Sequence, residues 1–124
     1  MIEIAPGWML QVERGPDWLF VRLSAPKDAV EAPPLAERVW GMLEHTLTDR
    51  VVLEMDEVEI LRSYLIGQLV LLHKRLCAHG GVMRLCGLSA QAQESLHAAR
   101  LDGRFPNFAT RGEAVRGDRP RQPR

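Results

Sequence analysis

Two short β-branched runs, 50-RVVLEMD-56 and 82-VMRLCGL-88, flank a long apolar segment inside 57-EVEILRSYLIGQLVLLHKR-75. The runs have strand length and the segment between them has helix length. One helix between two strands requires the strands to run parallel, joined by a right-handed crossover, because hairpin geometry has no room for a helix. The first run is apolar on both faces until Glu54, which suits a central strand covered on both sides. Gly80-Gly81 closes the helix before the second strand.

The rest of the chain extends this unit at both ends. The β-rich runs 8-WMLQV-12 and 18-WLFVRLS-24, separated by 14-RGPD-17, predict a hairpin, with Trp8 and Trp18 expected to pack as a cross-strand pair. A Pro- and Ala-rich loop, 25-APKDAVEAPP-34, leads to Pro34 at the start of a helix over 35-LAERVWGMLEHT-46. Its Leu35, Val39, Met42 and Leu43 recur at helical spacing, and Trp40 lies off that line and is expected to be partly exposed. After the second parallel strand, Ser89 caps a smaller helix over 89-SAQAQESLHAARL-101, with Ala92, Leu96 and Ala99 on one side. The segment 105-FPNFATRGEAV-115 supplies two aromatics and a short terminal helix. The predicted order is β-β-α-β-α-β-α followed by a short β and α, an α/β fold with a small mixed, mostly parallel sheet faced by helices. The expected domain spans residues 6–117, and 118-DRPRQPR-124, which has nothing apolar to bury, is expected to be a disordered basic tail.

At 124 residues the chain suits one domain with one core. Its formal net charge of zero gives no global attraction to nucleic acid or to an anionic membrane surface. The five arginines of the last fourteen residues form only a short basic end without aromatics, which reads as solvated rather than as a nucleic-acid site. The amino terminus lacks the pattern of a signal peptide, and no apolar stretch reaches the roughly 18 residues of a membrane span. Two cysteines without a spacing motif point to a reducing compartment, so a cytoplasmic protein is expected.

Stepping about 100° per residue through the long helix sets Leu65, Ile66, Leu69, Val70, Leu72, Leu76 and Cys77 on a broad arc toward the sheet. The opposite side carries Tyr64, Gly67, Gln68, Leu71, Lys74, Arg75 and Ala78, so Leu71 is expected to be exposed beside a ring and small residues. Ser63 stands where the helix begins and reads as its N-cap. A helix amino terminus also tolerates a phosphate, which would add about −1.5 to −2 charges beside Tyr64 and Leu71.

Catalytic constellations are absent from the pattern. Glu54, Asp56, Glu57 and Glu59 cluster at a strand end without a nucleophile or substrate clamp and read as solvated loop acids. His73 and Cys77, one turn apart on the expected buried side with Cys86 on a strand beneath, are legitimate zinc ligand types, but a fourth ligand is lacking, so no metal is expected. His45, His79 and His97 fall on polar faces. There is no P-loop, dinucleotide fingerprint or Ser-His-Asp pattern, so neither an enzyme nor a cofactor is expected.

From Val51 to Val115 the marks occur in a recognisable order. A strand ends in an acid, Ser63 opens a long helix, a Gly-rich turn follows, a strand ends at 87-GLS-89, and 101-LDGRFP-106 closes a short helix. This succession resembles the STAS domain of bacterial anti-sigma factor antagonists. The resemblance implies the STAS fold, with Ser63 at the family's phospho-acceptor position and Glu54 close to it, in contact with Arg62. It also implies a role in transcription regulation: the unphosphorylated protein binds an anti-sigma factor, a serine kinase of the histidine-kinase-like ATPase type, and phosphorylation breaks the contact. Arg62, Tyr64 and Leu65 stand where the family motif has Asp, Ser or Thr, and Gly. An Arg does not orient the hydroxyl as an Asp does, but it pairs with a phosphate once one is attached. The expected docking surface is Arg62, Ser63, Tyr64, Gly67, Gln68 and Leu71. Two rivals share the resemblance: a STAS scaffold that self-associates in a stress-signalling assembly, and a cytosolic STAS subunit of a membrane transporter that makes no membrane contact itself.

Overall fold

The computed structural model describes residues 1–27 and 32–117. Part of the Pro- and Ala-rich loop and the whole expected tail, 118–124, lie outside the described residues. A six-stranded sheet runs in sequence order, β1 (Ile2–Ala5), β2 (Trp8–Arg14), β3 (Leu19–Ser24), β4 (Arg50–Glu54), β5 (Val82–Cys86) and β6 (Asn107–Phe108). The pairs β1–β2 and β2–β3 are antiparallel, and β3–β4, β4–β5 and β5–β6 are parallel. The strand–helix–strand expectation therefore holds, with β4 central and its Val51, Val52 and Leu53 all buried.

Strand β1 has no counterpart in the sequence reading and precedes residue 6, where the domain was expected to start. Its alternation, IEIA, is too short to stand out. It reaches β2 through a turn in which Gly7 takes φ +78, and a Cβ there would sit 2.6 Å from the Pro26 Cβ. Only glycine satisfies both the backbone and the close approach.

The helices α1 (Leu35–Thr46), α2 (Ser63–Ala78) and α3 (Ala90–Ala98) cover one face of the sheet. Leu10, Leu23, Val21, Leu53 and Leu85 from the strands meet Leu35, Val39, Leu65, Leu69, Leu72, Leu76 and Leu96 from the helices, all essentially inaccessible. The short α4 (Arg111–Arg116) covers part of the other face, its buried Ala114 joining Trp18, Val52, Cys86 and Phe108. This two-faced arrangement overturns the expected Trp8–Trp18 pair. In the hairpin register Arg14 faces Leu19 and Met9 faces Ser24, so the two tryptophans sit at opposite ends of it. Trp8 packs under the three helices, whereas Trp18 joins the core beneath α4, its ring flanked by the guanidinium groups of Arg50 at 5.9 Å and Arg84 at 5.4 Å.

The end of α2 also corrects the expected apolar arc. Cys77 is exposed rather than turned to the sheet, and His73 is half-buried with its ring edge-on to Phe105 at 5.1 Å. Cys86 lies on the opposite side of the sheet in the core beneath α4, so the three side chains do not converge. Among the described residues no group of three His, Cys, Asp or Glu side chains is placed to hold a metal ion.

Candidate functional site

The parallel strands β3, β4 and β5 end at one rim, and the chain from Met55 to Arg62 crosses that rim before entering α2. It is fixed by apolar anchors and backbone bonds: Met55, Val58 and Leu61 are buried, Met55 N–H donates to Cys86 O at 2.8 Å, and Val58 N–H donates to Met55 O at 3.0 Å. The Ser89 hydroxyl donates to Glu59 O at 2.6 Å and accepts from Ala92 N–H at 3.0 Å, so one side chain caps α3, as expected, and ties the crossing segment to it. Gly87, at φ +72, lets β5 pass close under Asp56, where a Cβ would come within 3.1 Å of the Asp56 Cβ.

Ser63 emerges from this segment as the first helical residue and is not the cap. Arg62 holds the N-cap position with extended backbone (φ −80, ψ 159), and its carbonyl accepts from the Leu65 and Ile66 amides, each at 3.0 Å. No side chain caps α2. The cap therefore falls one residue before the expected serine. The Ser63 side chain is exposed at the positive end of the helix dipole. Beside it a cleft of about 350 Å³ is lined by Trp8, Pro26, Lys27, Ile60, Arg62 and Tyr64. Ile60, 51% exposed at its mouth, was missed by the sequence reading, which treated this stretch as acidic loop.

The outward face of α2 follows the expected phase. Gly67 is exposed and Leu71 is 58% exposed, while Tyr64 is half-buried in the cleft wall. Gln68 is half-buried on this face, and its Oε1 accepts from Ala36 N–H at 3.0 Å, which satisfies an amide in the first turn of α1. Between the two helices runs a groove of about 670 Å³, lined by Trp40, Gly41, Gln68, Leu71 and Arg75 among others. The Arg75 guanidinium lies 4.5 Å above the half-buried Trp40 ring, and His79 tilts against the same ring at 4.8 Å.

Glu54 departs most from expectation. It is 5% exposed and contacts not Arg62 but two arginines on the far face of the sheet. Arg111 Nε donates to Glu54 Oε1 at 2.5 Å, and Arg22 lies 3.4 Å from Glu54 Oε2 while its Nε reaches Asp56 Oδ1 at 3.3 Å. Arg111 also pairs with Glu13 and lies 4.2 Å above the Phe20 ring. The Glu54 hydrogen bond, joined by Glu13, holds the Arg111 proton above the ordinary guanidinium range. Burial, helped by Glu54 and Asp56, pushes the Cys86 thiol up to about 11, so it stays protonated and inert. The network fastens α4 to β4 and, through Arg22 and Asp56, steadies the start of the segment that presents Ser63. The Ser24 hydroxyl adds a bond to Glu57 in the same segment.

Away from this rim, His97 Nδ1–H donates to Asp102 Oδ2 at 2.9 Å, and the pairing raises the imidazole pKa and lowers that of the carboxyl. Cys77 Sγ sits 3.6 Å from His73 Nε2, and burial, with Arg104 nearby, keeps that imidazole below its usual pKa. Among the described residues no helix is long and apolar enough to cross a membrane.

The comparisons agree with this architecture. An anti-sigma factor antagonist from Mycobacterium paratuberculosis superposes with a TM-score of 0.73 at 23% identity, over 91% of this chain and 96% of that one. The anti-sigma factor antagonist SpoIIAA in its unphosphorylated form gives a TM-score of 0.64 at 14% identity, over 90% of this chain and all 100% of that one. A chain from the stressosome, described as a signal integration and transduction hub, gives 0.62 at 14% identity, over 86% and 94%. No curated protein sequence matches the chain. The sequence profile described as the STAS domain matches residues 9–114. With the profile spanning most of its length, and a six-stranded sheet faced by helices beneath it, this chain belongs to the STAS domain family.

Proposed function

We propose that the chain is a regulatory signalling protein that acts by binding rather than by catalysis. Its partner is an anti-sigma factor or a regulatory serine kinase of the histidine-kinase-like ATPase type, met in the cytoplasm. The docking surface is the Ser63 turn and the outward face of α2: Arg62, Ser63, Tyr64, Gly67, Gln68 and Leu71, with Gln68 also bracing α1. The observation that carries this reading is the exposed Ser63 hydroxyl at the free amino end of α2, in line with an exposed Gly67 and Leu71 on one accessible face. A phosphate on Ser63 would be favoured by the helix dipole, next in sequence to the cation of Arg62, and phosphorylation would change the charge of the face without unfolding it. Likeness to antagonists, one of them in an unphosphorylated form, supports this direction. The likeness to a stressosome chain supports a second reading, a scaffold subunit of a stress-signalling assembly.

The test is a crosslinked pull-down from the native cell with the wild-type chain and with Leu71→Asp, read by mass spectrometry. A histidine-kinase-like ATPase enriched by the wild type and lost with Leu71→Asp is expected, with the Ser63 peptide of the same digest reporting phosphate. Enrichment of transporter subunits, or of STAS chains alone, would overturn the kinase reading.

A further inference from the structure

The groove between α1 and α2 is self-complementary, and we propose that it is a two-fold interface between copies of this chain. Both helices cross over between successive parallel strands, so they run side by side in the same direction. Their outward stripes differ. The groove side of α1 is acidic, with Glu37, Gly41 and Glu44 exposed and the exposed Arg38 and His45 outside the groove lining, and that of α2 is basic, with Leu71, Lys74 and Arg75 exposed. Glu37, Glu44 and Lys74 make no ion pair among the described residues, and Arg75 meets only the Trp40 ring. The walls are thus charged and opposite in sign, with Glu37, Glu44 and Lys74 outside any ion pair among the described residues.

The shapes match as well. Leu71 projects from α2 at 58% exposure, and across the groove Gly41 leaves a gap, since a Cβ there would meet nothing within 4 Å. Gly41 sits mid-helix without positive φ, so neither its backbone nor the packing of this chain requires glycine. A second copy does require it. Rotation by 180° about an axis along the helices lays α1 of one copy over α2 of the other and keeps heights along the axis. Each Leu71 then enters the gap at the second copy's Gly41, and Glu44, one turn further along α1, faces the second copy's Lys74 and Arg75. Because such pairing covers Leu71, self-association and docking at α2 would compete, whatever protein docks there.

Sedimentation velocity of the full chain over a range of concentrations tests this. The wild type is expected to pass from monomer to dimer, and Gly41→Lys to weaken the dimer about tenfold or more, because it fills the gap with a cation facing Lys74 and Arg75. Gly41→Lys is also expected to raise the melting temperature at dilutions where both proteins are monomers, which separates a lost interface from a damaged fold. Glu44→Lys and Lys74→Glu should each weaken the dimer, and the double variant should restore it. A wild type that stays monomeric at every concentration reached, a dimer indifferent to Gly41→Lys, or a charge-swapped double variant no tighter than the single variants would each overturn the proposal. A monomeric wild type that still binds its kinase would leave the docking reading intact.

Discussion

Replacing Glu54 by Gln should loosen α4 from the sheet without opening the main core. The carboxylate is 5% exposed and takes a 2.5 Å hydrogen bond from Arg111 and a 3.4 Å contact from Arg22. Gln keeps the volume and one acceptor oxygen but removes the charge between the two guanidinium groups. Breaking a fully buried pair costs roughly 3–5 kcal/mol. Here the arginine side chains remain 36% and 37% exposed, so water compensates in part, and about 2 kcal/mol is the better expectation. For a domain of this size that corresponds to a melting temperature lower by about 8 °C. A thermal melt by circular dichroism measures the shift, and a double-mutant cycle with Arg111→Met isolates the pair from the Arg111 contact with Phe20. The coupling should survive about 0.5 M salt, since Glu54 is shielded from solvent, whereas the Arg111 contact with the exposed Glu13 should not. A Glu54→Gln melt within about 2 °C of wild type, together with additive single variants, would show that the network adds no stability and that α4 is held by its apolar contacts alone.

Leu71→Asp should leave the melt within about 0.5 kcal/mol of wild type, as an exposed position does, while weakening partner binding; a large loss of stability would contradict its placement on the surface. Ser63→Asp should lower partner affinity more than Ser63→Ala, and equal affinities by calorimetry would remove the phosphate gate. Gly67→Ala should raise stability by about 1 kcal/mol, because a Cβ there meets nothing within 4 Å, and an unchanged or lower melting point would refute that accounting. His73 is held below its usual 6.5 by burial first and by Arg104 second, so the unfolded chain binds its proton more readily. Stability from this group is therefore lost as pH falls through 6.5 toward the folded value, and His73→Gln should flatten that acid-side slope in urea melts. His97, raised by Asp102, acts in the opposite sense, which makes His97→Ala the control.

The parallel half of the sheet was legible because periodicity is a local property. β4, α2, β5 and α3 each carry their burial pattern within one contiguous segment, and the Ser89 cap is a three-residue signal confirmed by its bond from Ala92 N–H. Leu71 was legible for the same reason, since helical phase alone fixes which side of α2 it occupies. β1 was not legible, because four residues alternate too briefly and its pairing depends on the turn at Gly7 and on contact with Pro26. Trp8 and Trp18 were misplaced because both are strand residues by type, and only the hairpin register decides which face each one covers.

The candidate site divides along the same line, and the division says where its control lies. The proposed docking face of α2 is written locally, in the spacing of Ser63, Gly67 and Leu71. The contacts that fasten the frame behind it are written across the whole chain: Arg111 ties α4 to Glu54 over 57 residues and to Glu13 over 98, and Gln68 ties α2 to Ala36 over 32. Acids at a strand end look solvated until a distant arginine is known to fold over them. Glu54 therefore read as a loop acid beside Ser63 although it is a buried anchor on the opposite face of the sheet. A substitution on the α2 face should thus change binding with little effect on stability, and one in the Glu54 network should change stability first. Arg22 and Asp56 are side-chain contacts that would carry the second kind of change to the Ser63 segment.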